Sequence, residues 1–179
     1  MFKSINILFT CMLIWITSSS FMHDHLTELP AKKISKSIKK IWKADNYQLE
    51  QMSHSFCVDN GVFFKVISGE KELGYIYSGR VNSCKSGGCN AAADGVNLAF
   101  EFFDYFMLLD TLRQVIWVKI YNYQATQGHE VMSRGWLNQF KGMEPGESII
   151  FGKDIEAISG ATVSASAITE DIKRVLVCM

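Results

Sequence analysis

Residues 100 to 121 constrain the fold more tightly than any other stretch. Phe100 to Leu109 is densely apolar and aromatic, Asp110-Thr111-Leu112-Arg113-Gln114 interrupts the run, and Val115-Ile116-Trp117-Val118-Lys119-Ile120-Tyr121 resumes it. β-Branched and aromatic residues at this density, split by a polar turn, predict strand, turn, strand. An earlier stretch repeats the pattern: Val62-Phe63-Phe64-Lys65-Val66-Ile67 leads through Ser68-Gly69-Glu70-Lys71-Glu72 into Leu73-Gly74-Tyr75-Ile76-Tyr77. Consecutive hairpins need partners for their apolar faces, and the segments on either side carry helical periodicity. The expected class is therefore α+β, an antiparallel sheet packed by helices. No long-period internal repeat competes with it.

The helical segments lie at both ends. In residues 21 to 50, Lys32, Lys33, Lys36, Lys39, Lys40 and Lys43 interleave with Ile34, Ile38, Ile41 and Trp42, a basic amphipathic helix. Such a helix either packs on a core with its lysines in solvent or lies on an anionic membrane surface. Near the C-terminus, Ile168, Ile172, Val175 and Leu176 make the stripe of a packed helix. Just before it, Ser159-Gly160-Ala161-Thr162 reads as a tight turn. Gly160 supplies positive φ, Ala161 keeps the surroundings of the next residue open, and Thr162 falls where an N-cap is expected.

Residues 1 to 20 read as a secretory signal. Lys3 precedes an apolar run from Ile5 to Ile16, and Thr17-Ser18-Ser19-Ser20 are small, which predicts cleavage after Ser20. The run is shorter than the roughly 20 residues that cross a bilayer, and an uncleaved anchor is the alternative. Cys11 follows Thr10 rather than Gly, Ala or Ser, which argues against lipidation. These segments suggest a signal over 1–20, a basic helical segment over 21–50 and one domain over 51–179, placed in the periplasm or at the outer face of the cytoplasmic membrane.

Export brings Cys57, Cys84, Cys89 and Cys178 into a compartment where disulfides persist. Cys84-Lys85-Ser86-Gly87-Gly88-Cys89 forms a short loop whose closure would contribute about 2 kcal/mol on the chain-entropy account. A structural disulfide, free thiols and a redox or metal role are all open for this pair. No zinc-ligand spacing and no haem-attachment motif is present. The 18 basic residues balance the 18 acidic ones, so no global field points to nucleic acid. His129 lies in a polar loop after the sheet and is a candidate ligand contact, with an ordinary surface role as the competitor.

Three segments together resemble the FMN-binding domain family, which includes peripheral flavin-carrying subunits of sodium-translocating NADH:quinone reductases and Rnf-type electron-transport complexes. Leu73-Gly74-Tyr75-Ile76-Tyr77 resembles the family's Gly-Tyr strand. Ala125-Thr126-Gln127-Gly128 with Trp136-Leu137-Asn138-Gln139-Phe140-Lys141-Gly142 resembles its Glu-Thr-Pro-Gly loop and following aromatic segment. Glu156-Ala157-Ile158-Ser159-Gly160-Ala161-Thr162 resembles its flavinylation signature. The match spans residues 60 to 179. Glu156 stands where the family has Asp, Ala125 and Gln127 replace its Glu and Pro, and the Cys84–Cys89 loop has no counterpart.

The resemblance implies FMN carried as a phosphoester on Thr162, attached by a separate magnesium-dependent flavin transferase with FAD as donor. It also implies electron transfer with membrane-associated redox partners rather than stand-alone enzyme activity. Ser159, Gly160 and Ala161 would shape the phosphate end, Glu156 would bear on transferase recognition or contact the flavin, and Gly128 and His129, with Thr126 of the same loop, would border the flavin. Tyr75, Trp136 and Phe140 are candidates to pack near its ring, with core packing as the competing role. The alternatives are a non-covalent flavin or small-ligand module, and a thiol–disulfide protein using Cys84 and Cys89.

Overall fold

A computed structural model describes residues 29–52, 60–85 and 100–179. The expected signal over 1–20, Cys11, Cys57 and Cys89 lie outside the described residues. No helix among the described residues is long and apolar enough to cross a membrane.

The architecture is the expected antiparallel sheet packed by helices. Among the described residues, five strands follow in sequence order across the sheet, β1 (Gln48–Met52), β2 (Gly61–Ser68), β3 (Lys71–Lys85), β4 (Phe100–Leu109) and β5 (Val115–Tyr123). Every neighbouring pair is antiparallel. Helix α1 (Ala31–Trp42) covers one face and α3 (Thr162–Val177) the other, with the short α2 (Arg134–Leu137) in the segment that joins β5 to α3.

The helix of the basic segment packs on the sheet. Ile34 and Ile38 of α1 are fully buried with Phe64, Val66, Ile76, Phe106 and Leu108. The apolar stripe is thus taken up by the sheet while the lysines stay exposed, Lys33 donating to the Tyr121 carbonyl at 2.7 Å and Lys40 lying over the Trp117 ring. The helix ends earlier than the 21–50 segment: Lys43 adopts a left-handed conformation, and Gln48–Met52 pairs with β2 as an edge strand. Helix α1 and β1 therefore belong to the same packed unit as the domain expected over 51–179. The first hairpin turns on Gly69-Glu70, tighter than the predicted Ser68–Glu72, with Gly69 at φ 61°.

Strand β3 also runs well past Tyr77. Its second half stays paired, with Arg80 and Ser83 both held by side-chain bonds. Arg80 grips Asp104 of β4 with bonds of 2.7 and 3.1 Å and stacks on Phe102, and Asn122 of β5 donates to the same carboxylate at 2.7 Å. Gly79 and its cross-strand partner Gly61 form a notch for the Tyr77 ring. A methyl at Gly79 would come within 2.3 Å of the Tyr77 hydroxyl oxygen, and one at Gly61 within 2.2 Å. Gly79→Ala should therefore destabilise the fold by about 1–3 kcal/mol, the usual cost of overpacking a dense core. Urea unfolding checks this, and an unchanged midpoint would contradict it.

The face under α3 holds the larger core, built on Tyr77, Phe103, Tyr105, Met107, Leu109, Ile168, Ile172 and Val175. Inside it, the Tyr105 hydroxyl donates to Asp171 of α3 at 2.8 Å, and Arg174 pairs with the same carboxylate. Burial pushes the Asp171 carboxyl above its ordinary range, opposed in part by Tyr105 and Arg174. Between the unfolded value, about 3.9, and the raised folded one, the native state holds more protons than the unfolded state. This carboxyl's contribution to stability therefore falls as pH rises through that window. The stability of the native protein relative to Asp171→Asn should shrink as pH is raised from about 4. Chemical denaturation across pH measures the difference, and a constant or growing gap would sink the assignment.

Candidate functional site

The turn before α3, the loop after β5 and the adjoining ends of β3 and β4 meet around a cleft of about 290 Å³. Its described lining includes Ser83 and Cys84 of β3, Glu101 of β4, Thr126 to Gly128 of the loop, and Gly160 to Ser164. Of the residues singled out from sequence, the structure brings together Thr126, Gly128, Gly160, Ala161, Thr162 and Cys84.

The loop is fixed from both sides. Glu101 accepts from the Thr126 amide at 3.1 Å and from its hydroxyl at 2.9 Å. Gly128, at φ 88°, lies so close to the start of α3 that a methyl there would reach the Tyr123 hydroxyl at 2.8 Å and Ser164 Oγ at 2.9 Å. A run of hydroxyls ties these parts together. Tyr123 Oη lies 2.6 Å from the Gln127 carbonyl and 2.9 Å from Ser164 Oγ, which is 2.8 Å from Ser83 Oγ. A carbonyl only accepts, so Tyr123 donates to Gln127. That polarity makes Ser164 the donor to Tyr123 and Ser83 the donor to Ser164. Burial pushes the Tyr123 hydroxyl up, with the Ser164 bond opposing and the Glu130 and Glu101 carboxylates adding to it.

The turn carrying Thr162 departs from expectation. The N-cap of α3 is Ala161, whose carbonyl accepts the first helical bond from Ala165 at 2.8 Å. Ala161 is buried, so its small side chain fits the core rather than opening the surroundings. Thr162 is the first helical residue, and its hydroxyl caps nothing. That hydroxyl makes one long bond, 3.4 Å, to the Ile158 carbonyl, and the residue is exposed in the cleft. The amides of Thr162, Val163 and Ser164 precede the first i→i−4 bond and lie where helix geometry favours an anion. The described lining contains no lysine or arginine, so those amides are its main attraction for negative charge.

Gly160 adopts φ 82°, as the turn requires. The Glu130 carboxylate stands over it, about 3.3 Å from where a Cβ would sit. Glu101, Tyr123, Ser83 and Ser164 are site residues that sequence reasoning did not select. The available signals were Ser164 two residues past Thr162 and Tyr123 at the end of a strand leading into the loop.

The remaining candidates lie around the cleft rather than in its lining. His129 is exposed and tilts against Tyr123, ring centroids 4.6 Å apart. Ser159 and Glu156 are exposed beside the turn. The Glu156 backbone is clamped: its amide donates to Gln139 Oε1 at 2.8 Å, and its carbonyl accepts from the Trp136 indole at 2.7 Å. Trp136 and Phe140 are buried in edge-to-face contact at 5.4 Å, so the aromatic segment braces the chain leading to the turn. Tyr75 is buried near Leu109, at the other end of β3 from Ser83 and roughly 27 Å away at a strand's rise per residue. The structure does not bring it to the cleft.

The pairing of Cys84 with Cys89 falls outside the described residues. No group of three or more His, Cys, Asp or Glu side chains suited to a metal occurs among the described residues. No family model matches the chain, and no curated protein matches it.

Proposed function

We propose that this chain is an exported flavoprotein that carries FMN as a phosphoester on Thr162 and passes electrons between membrane-associated redox partners. The observation that supports it most is the Thr162 hydroxyl. It stands at the first helical position in an open cleft and is not used as a cap. A threonine hydroxyl is a weak nucleophile, so an accessible position suits modification by a transferase that brings its own base and metal.

The residues present fit the group. The first-turn amides from Thr162 to Ser164 would hold its phosphate. Thr126, Gln127 and Gly128 would form the facing wall, and the hydroxyl run from Ser83 to Gln127 would keep that wall in place. Bound FMN would supply one- and two-electron chemistry that these side chains lack, while the protein holds and orients it. Glu130, poised over Gly160, places a carboxylate beside the turn although the loop lacks the family's own glutamate.

The test is intact mass of the full chain co-expressed with a flavin transferase that modifies a known acceptor in the same cells. A single FMN adduct on the peptide containing Thr162 is expected. An unmodified chain beside a modified acceptor overturns the proposal.

A further inference from the structure

A second cleft, of about 360 Å³, lies at the β5 edge of the sheet on the α1 side. Lys40 and Ile41 approach it from α1, Trp117 from β5, and Arg134, Asn138 and Lys141 from the segment that crosses from the other face. Lys40 Nζ lies 4.7 Å from the Trp117 ring centroid and Arg134 Cζ 5.0 Å from it. The indole N–H of Trp117 is buried without an acceptor.

The chemistry of this lining is one-sided. It presents three cations, Lys40, Arg134 and Lys141, and no carboxylate. Two separate chain segments deliver like charges to one concavity, an arrangement that repels itself until an anion enters. The ring contacts of Lys40 and Arg134 offset part of that repulsion but give neither Arg134 nor Lys141 a carboxylate partner. A guanidinium fork with two ammonium groups matches the several oxygens of a phosphate better than the two of a carboxylate. The volume exceeds that of a bare ion, leaving room for the group the phosphate is attached to.

We propose that this cleft binds the phosphate group of a small polar ester, whether a soluble phosphate ester or the headgroup of an anionic phospholipid. The site is separate from the Thr162 cleft and stands whether or not Thr162 carries a flavin.

The test follows tryptophan emission of the full chain at low ionic strength, with Trp117→Phe identifying the Trp117 signal. One arm titrates glycerol 3-phosphate. The other titrates vesicles of phosphatidylglycerol in phosphatidylcholine against phosphatidylcholine alone. A response to either anionic probe is expected, and which probe responds identifies the source. Arg134→Gln and Lys141→Gln should each weaken it by roughly tenfold, the scale of one lost charge-assisted bond. Arg134→Lys, which keeps the charge and loses the fork, should fall between. Lys36→Gln, on α1 but outside the cleft lining, should leave it unchanged. Absence of any response, or an equal loss in Lys36→Gln, overturns the site.

Discussion

Thr162→Val is expected to abolish flavin attachment while leaving the stability of the fold within about 0.5 kcal/mol, the range of surface changes that break no special contact. Valine keeps the shape of threonine and removes only the hydroxyl. Had Thr162 been the N-cap, the same change would cost about 1 kcal/mol. Here the cap is Ala161, and the hydroxyl makes only a 3.4 Å bond to Ile158. Attachment and stability should therefore separate cleanly. Thr162→Ser should keep the adduct, because it keeps the nucleophilic oxygen. Mass spectrometry and urea titration of the three proteins decide the matter, and an FMN adduct on the valine variant would remove Thr162 from its role.

Phe140→Ala should lower stability by about 3–5 kcal/mol, the range found for emptying a buried aromatic site. That is a large share of the 5–15 kcal/mol typical of a whole domain. Phe140 is fully buried, packs edge-to-face on Trp136 and sits under the segment that clamps Glu156. Its effect on a flavin would therefore come through the brace. Phe140→Leu, which refills most of the space, should recover much of the stability and leave the absorption spectrum of a bound flavin unshifted. A loss below about 1 kcal/mol in Phe140→Ala together with a shifted flavin spectrum would assign the ring to the cofactor instead.

The hairpins and the closing helix were legible because their residues repeat with the period of the element they form. Phe63, Tyr77, Phe103 and Tyr105 alternate into one core, and Ile168, Ile172 and Val175 recur along one helix face. The second half of β3 was not legible: Ser78-Gly79-Arg80-Val81-Asn82 looks like loop until Asp104 and the Tyr77 ring are in place. Strand β1, Gln48–Met52, carries too little apolar pattern to be seen without β2 beside it. The turn at Gly160 could be read locally, since positive φ calls for glycine. The capping role was misassigned because Thr is a preferred cap, and a shift of one residue in the helix start moved that role to Ala161. Glu130 above Gly160, and Tyr123 with Ser83 around Ser164, were beyond reach because such contacts join segments far apart in the chain.

The bond from Ser83 to Ser164 spans 81 residues, whereas each ladder of the sheet closes between strands adjacent in the chain. Closing so long a loop carries more entropy cost than closing a hairpin, and burial of Ala161, Ala165 and Ile168 offsets it together with the hydroxyl bonds. Thr162 is already exposed on the cleft side of this seam, so a local loosening there would change the width of the cleft and not whether the hydroxyl can be reached.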